Sequence, residues 1–289
     1  MRFFLLPLFC GVLLVAGCSG PDLLNALTSS GGYTVTKGVA YGAGPRRLLD
    51  VYQPEGADPA ATPTVVFFYG GSWQSGDRGD YVFVGQALAA RGYRGVVPDY
   101  RLFPEVRYPA FLEDSAAAVR WTLQRFGDDG PVFLMGHSAS AYNAAMLALE
   151  PRWLGADMRD RIAGVANLAG PYDFLPLRDA NLKTIFGPEE TRPRTQPINY
   201  VDGAAPPMLL ITGEADDTVL PRNTRRLAAA IQDAGGVAET RFYDGVGHSS
   251  LIGAIARPLR FWAPTLQDVD AFFRGRMAVA FSADRAASG

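Results

Sequence analysis

The chain has 289 residues, 48% of them hydrophobic, enough to bury the core of one α/β domain. Its formal net charge of -2 and pI near 5.8 supply no basic stripe, which argues against nucleic acid as a partner. The only cysteines, Cys10 and Cys18, precede the domain and there are two histidines, so no thiolate or imidazole cluster exists for zinc, and neither a metal nor a dissociable cofactor is expected.

Residues 1–17 read as a signal peptide, outside the fold: Arg2 is a short positive region, and Phe3 to Ala16 an apolar stretch too short to span a membrane stably. The ending Leu14-Val-Ala-Gly-Cys18 resembles a bacterial lipobox, which implies cleavage before Cys18 and lipidation of its thiol. The plainer alternative is an ordinary cleaved signal followed by an incidental cysteine. Ser19, in place of aspartate, implies the outer membrane of a Gram-negative envelope, on its periplasmic side. Cys10 leaves with the signal, so no disulfide is expected in the mature chain. Residues 18–32, rich in Ser, Gly and Leu, are expected to be a lipidated tether to the membrane.

The pattern of alternating strands and helices occupies residues 33–276. Val35 to Ala40 and Arg47 to Gln53 read as strands joined by the Gly42-Ala-Gly-Pro45 turn. Thr64 to Tyr69 is a β-branched and aromatic run suited to a strand buried on both faces, and it ends in Gly70-Gly71-Ser72-Trp73. Tyr81 to Arg91 is a helix candidate, Gly95 to Pro98 a short strand, and Phe111 to Phe126 a helix stopped by Gly127. Val132 to Met135 reads as a strand and Ala139 to Leu149 as a helix, with Ile162 to Leu168 the next strand. Residues 171–205 break the pattern, and a small cap is expected there, with Phe174, Leu175, Leu177, Ile185, Phe186 and Tyr200 as apolar surface for a pocket. Pro207 to Thr212 is a strand, Asn223 to Ala234 a helix closed by Gly235-Gly236, and Ala238 to Tyr243 the last strand. Residues 277–289 are expected to be a flexible tail. Alternating strands and helices predict a mostly parallel central sheet with helices on both faces.

Both histidines lie in segments suited to nucleophilic catalysis, His137 in Gly136-His-Ser138-Ala-Ser140 and His248 in Asp244-Gly-Val-Gly-His-Ser249. A serine nucleophile working near neutral pH needs a base, and imidazole is the side chain suited to it. Neighbouring side chains diverge in a tight turn, which leaves His248 as the base for Ser138. The strand-turn-helix around Ser138 has the form of a nucleophile elbow, where residues two before and two after the serine must be small. Gly136 meets this fully, and Ser140 stands where G-x-S-x-G has its second glycine, read as a tolerated crowding. Two glycines after a central strand let backbone amides turn towards a developing oxyanion. Asp216 and Asp217 follow a strand's C-terminal end, where open α/β sheets keep their sites. Asp216, three residues before Val219, is chosen to orient the imidazole, and Asp217 is the alternative.

The order Ser138, Asp216, His248 and the Tyr69-Gly70-Gly71-Ser72-Trp73 stretch resemble an α/β-hydrolase esterase of the group containing hormone-sensitive-lipase-like carboxylesterases, bacterial feruloyl and acetyl esterases, and kynurenine formamidases. The group's loop is His-Gly-Gly-x-Trp, so Tyr69 departs from it. The resemblance, over residues 33 to 275, implies an α/β-hydrolase fold with oxyanion donors at the amides of Gly71, Ser72 and Ala139. Tyr69, Trp73 and Phe174 are the candidate pocket residues. Asp99 and Arg101, in Pro98-Asp-Tyr-Arg-Leu102, are read as a scaffold charge pair supporting the elbow. The implied activity is hydrolysis of short-chain carboxylic esters, including acetyl or feruloyl esters of sugars, as small-molecule substrates. Two rivals stand beside it: an arylformamidase or amidase, and a non-catalytic envelope lipoprotein that binds a glycan or protein on a hydrolase fold.

Overall fold

In the computed structural model, which describes residues 20–28 and 31–287, eight strands make one sheet. They are β1 (Tyr33–Ala40), β2 (Leu48–Pro54), β3 (Thr64–Phe68), β4 (Arg94–Pro98), β5 (Val132–His137), β6 (Ile162–Leu168), β7 (Met208–Gly213) and β8 (Ala238–Tyr243). The order across the sheet is β1-β2-β4-β3-β5-β6-β7-β8. β2 runs antiparallel to β1 and β4, and every other pair is parallel. The fold is that of the α/β-hydrolases.

Nine helices accompany the sheet among the described residues: α1 (Gly20–Ala26), α2 (Val82–Ala89), α3 (Ala110–Phe126), α4 (Ala139–Leu149), α5 (Ala156–Arg159), α6 (Ala180–Phe186), α7 (Arg222–Asp233), α8 (His248–Gly253) and α9 (Thr265–Ala287). Helices cover both faces of the sheet, so β3, β4, β5 and β7 are buried along their whole length. That is why these strands read as continuous apolar runs and not as alternating ones. α4 is buried at every position, wedged among β5, β6 and α3, which its nearly uniform Ala, Leu and Met composition allows.

Two terminal expectations need correction. The segment 18–32 contains α1, which docks on the domain: Asn25 donates to the Gly79 carbonyl (2.7 Å) and accepts from the Phe83 amide (3.2 Å), while Leu24 packs half-buried on the core. Pro21 in the first turn and Leu24, which packs where Leu23 stays exposed, favour a packed helix over a loose tether. At the other end, α9 carries the expected tail on as helix to Ala287, because Met277 to Ala287 is rich in alanine, the strongest helix former. The signal-peptide residues and Cys18 lie outside the described residues. Among the described residues no helix is long and apolar enough to cross a membrane.

Parallel strands bring their C-terminal ends to one edge of the sheet. The loops after β3, β5, β7 and β8 therefore converge there, and they carry Gly71, Ser138, Asp216 and His248.

Candidate active site

Ser138 sits between β5 and α4 with φ 55° and ψ -127°, a strained conformation for a residue with a side chain. Its amide donates to the Leu168 carbonyl at the end of β6 (2.8 Å), which ties the turn to the sheet. The turn is possible because Gly136 lacks a Cβ: one placed there would lie 2.6 Å from the Ala141 Cα and run into the Ser140 carbonyl. Ser140 is not crowded. Its hydroxyl donates to the Tyr100 hydroxyl (2.8 Å), which donates in turn to the Tyr69 carbonyl (3.0 Å), joining the elbow to the end of β3.

The three candidate side chains meet. His248 Nε2 lies 2.8 Å from Ser138 Oγ, and His248 Nδ1 lies 2.7 Å from Asp216 Oδ2. Asp216 is buried, and its Oδ1 accepts the amides of Thr218 (3.0 Å) and Val219 (2.8 Å). One oxygen is therefore fixed by the backbone while the other faces the imidazole, an Asx turn that singles out Asp216. Asp217 points outward along the wall of the cleft.

His137 is buried and packs its ring 4.9 Å from that of His248. Burial, reinforced by the neighbouring His248, pulls its pKa down to about 3, so it is neutral at physiological pH. Neither of its ring nitrogens has a well-formed hydrogen bond among the described residues.

In the loop after β3, Gly71 has φ 130°, and a Cβ there would collide with the Ser75 carbonyl. Ser72 and Trp73 also take left-handed conformations (φ 53° and 60°). The Gly71 carbonyl accepts the amides of Gln74 (2.9 Å) and Ser75 (3.1 Å). Among the described residues the amides of Gly71, Ser72 and Ala139 make no hydrogen bond to the protein, which leaves them for a ligand oxygen. Trp73 is locked by Nε1 donating to Asn143 Oδ1 (3.0 Å) and by rings of Phe111, Tyr142, Phe174 and Phe186.

Tyr69 does not line the pocket, contrary to expectation. It is buried between the rings of Tyr81 and Tyr100, its hydroxyl donating to Asp99 (2.7 Å) and accepting from Arg46 (2.9 Å). An alternating strand ending at Phe68 turns the next side chain into the support beneath the loop. Asp99 and Arg101 are not partners either: Asp99 binds the Arg78 guanidinium and amide, whereas Arg101 pairs with buried Asp114 (2.8 Å), which also holds Arg47. Each finds its counter-charge on another segment, Asp99 on Arg78 and Arg101 on Asp114 of α3.

A cleft of about 630 Å³ opens over Ser138, walled by Ser72, Trp73, Ala139, Phe174 and Leu177 with Arg178, Asp179, Asp217 and Arg222 among its polar residues. Residues 171–205 contain α6 and two 3₁₀ turns, Glu189–Thr195 and Pro197–Tyr200, and only their first part, Pro171 to Leu182, lines the cleft. Ile185 and Phe186 lie under it in the core, and Tyr200 faces away, its hydroxyl donating to the Arg194 carbonyl (2.5 Å). No group of three or more potential metal ligands occurs among the described residues. Tyr100 and Asn143 have site-supporting roles that the sequence reading missed. A polar Asn inside an otherwise apolar helix was the available signal.

A nucleophile elbow facing an imidazole and carboxylate at the C-terminal edge of this sheet is the arrangement of an α/β-hydrolase site. The chain belongs to the BD-FAE family, whose model matches residues 49–231. It is 27% identical over 253 residues to the isoprenylcysteine alpha-carbonyl methylesterase of Arabidopsis thaliana, covering 78% of this chain and 58% of that one. It is 27% identical over 237 residues to the kynurenine formamidase of Drosophila melanogaster, covering 78% of each. The chain thus spans less than two thirds of the plant relative's length. Among solved structures, a truncated carbohydrate esterase from gut microbiota superposes with TM-score 0.75 at 21% identity, over 87% of this chain and 99% of that one.

Proposed function

We propose that this protein is a serine hydrolase of carboxylic esters, with Ser138, His248 and Asp216 as its triad. The observation that carries this is the unbroken line from Asp216 Oδ2 through His248 to Ser138 Oγ, with contacts of 2.7 and 2.8 Å. Ser138 Oγ attacks the ester carbonyl as His248 Nε2 removes its proton, forming the Oγ–C bond and an oxyanion. The amides of Gly71, Ser72 and Ala139 receive that charge, and Asp216 stabilises the imidazolium and fixes its tautomer. His248 then protonates the leaving alkoxide, and the C–O bond breaks to give an acyl-enzyme. Water, deprotonated by the same imidazole, releases the acid and restores Ser138.

The open cleft and its Trp73 and Phe174 walls suit short-chain esters, or acetyl or feruloyl esters of sugars. Likeness to a kynurenine formamidase supports a formamide substrate as second reading. A retired, binding-only fold is not favoured, because Ser140 and Tyr69 are both accommodated by hydrogen bonds that brace the site. We read Cys18 as a lipidation site that holds the domain at the outer membrane of the cell envelope, facing the periplasm. Hydrolysis of p-nitrophenyl acetate, absent in Ser138→Ala, is the test, and equal turnover by that variant refutes the triad. Faster hydrolysis of N-formylkynurenine than of the acetate would move the substrate to the second reading.

A further inference from the structure

Away from the cleft, the described surface departs from an ordinary one at the loop joining α8 to α9. It reads Arg257-Pro-Leu-Arg-Phe-Trp-Ala-Pro264 and contains no acidic residue. Phe261 is 80% exposed and Trp262 43%, with ring centroids 6.0 Å apart. Scattered exposed apolar residues are ordinary, but adjacent aromatics flanked by cations have the composition of a membrane–water interface.

The cations are available. Arg257 is exposed and makes no ion pair or hydrogen bond among the described residues. Arg260 donates only to the Ile255 carbonyl (3.3 Å), and Arg91 and Arg257 stand close enough to lower its pKa after the effect of burial. The first two carboxylates after the loop in sequence, both on α9, are already engaged: Asp268 by Tyr243 (2.5 Å) and Asp270 by Arg91 (2.7 Å), Arg274 and Tyr93. The loop is also rigidly held. The Trp262 amide donates to the Leu259 carbonyl (3.0 Å), and the indole packs on Gly253 at the end of α8.

We propose that the Phe261–Trp262 loop seats the domain on an anionic phospholipid surface, with the two rings at headgroup depth and Arg257 and Arg260 against lipid phosphates. The presence of a membrane draws on the reading of Cys18 as a lipidation site. Cys18 precedes Gly20 by two residues, at most about 7 Å of chain. Helix α1 is fastened at the start of α2 through Asn25, while Arg260 neighbours Arg91 just past the end of α2. Eight residues of helix separate these points, about 12 Å, so lipid attachment and aromatic loop lie within reach of one surface. Trp262 packs on Gly253, five residues along α8 from His248 and a rise of about 7.5 Å, so the loop stands at the far end of the helix that begins at His248.

The test uses full-length protein on vesicles of phosphatidylethanolamine and phosphatidylglycerol with brominated acyl chains, reading tryptophan emission. Trp73 and Trp153 are buried and Trp121 half-buried, so quenching reports chiefly on Trp262. Quenching is expected, is lost in Trp262→Phe, and is at least halved by Arg257→Gln with Arg260→Gln, by raised salt, or on phosphatidylcholine vesicles. No quenching, or equal quenching in Trp262→Phe, overturns the proposal. Light scattering of lipid-free protein adds a second outcome: a dimer that shields Trp262 from iodide assigns the loop to contact between copies and also overturns it. The mass of the mature chain reports lipidation separately. An unacylated chain whose Trp262 is still quenched leaves the loop proposal standing while the Cys18 reading fails.

Discussion

Acidification is expected to weaken this fold through His137. Its pKa in the folded state, about 3, lies below the ordinary value of 6.5 because burial disfavours the imidazolium. Between those values the unfolded chain binds a proton that the folded chain refuses. Stability from this group is therefore complete above 6.5 and is lost as pH falls towards 3. Integrating the linkage from about pH 7 to about pH 5 gives a loss of about 2 kcal/mol for one such group. Urea unfolding of the parent protein and of His137→Leu at both pH values isolates it, since the other titrating groups are common to both. The parent should lose about 2 kcal/mol more than the variant on acidification, whatever the variant's stability at neutral pH. Equal losses in the two proteins refute the claim that His137 is held neutral by burial.

Three further outcomes follow from the site. Asp216→Asn keeps an acceptor for the Thr218 and Val219 amides but removes the charge opposite His248, and should lower kcat by on the order of 10³–10⁴ with little change in the unfolding midpoint. Gly71→Ala drives a Cβ into the Ser75 carbonyl and should displace the loop amides, costing on the order of 10²–10³ in kcat by steady-state assay. Ser140→Gly removes the hydrogen bond to Tyr100 and puts glycine into the first turn of α4, so it should destabilise by about 1–2 kcal/mol in urea while sparing most of kcat.

The sheet was readable because each of its buried strands is a short apolar run ended by Gly or Pro, and Ile162–Leu168 and Ala238–Tyr243 fall where the pattern puts them. The meeting of Ser138, Asp216 and His248 was legible for a related reason: each follows a strand, and parallel strands share one active edge. Asp216 over Asp217 was a local matter, settled by amides two and three residues on. The supporting network was not legible. Asp99 to Arg78 spans 21 residues and Arg47 to Asp114 spans 67, and a carboxylate in sequence carries no mark of which distant guanidinium the fold will bring to it. Tyr69 was misread because the loop motif suggested a pocket, whereas the side chain turns into the stack between Tyr81 and Tyr100. Both termini became helical through propensity and, for α1, one asparagine contact, features that composition alone describes as loose chain.

Mapping the adduct left by a fluorophosphonate tests the proposed chemistry most directly, because the reagent reports an activated serine without requiring the natural substrate. Digestion and mass spectrometry should find one modified residue, Ser138, with labelling slowed by roughly a hundredfold or more in His248→Ala. No adduct, an adduct on another serine, or undiminished labelling without His248 would contradict it.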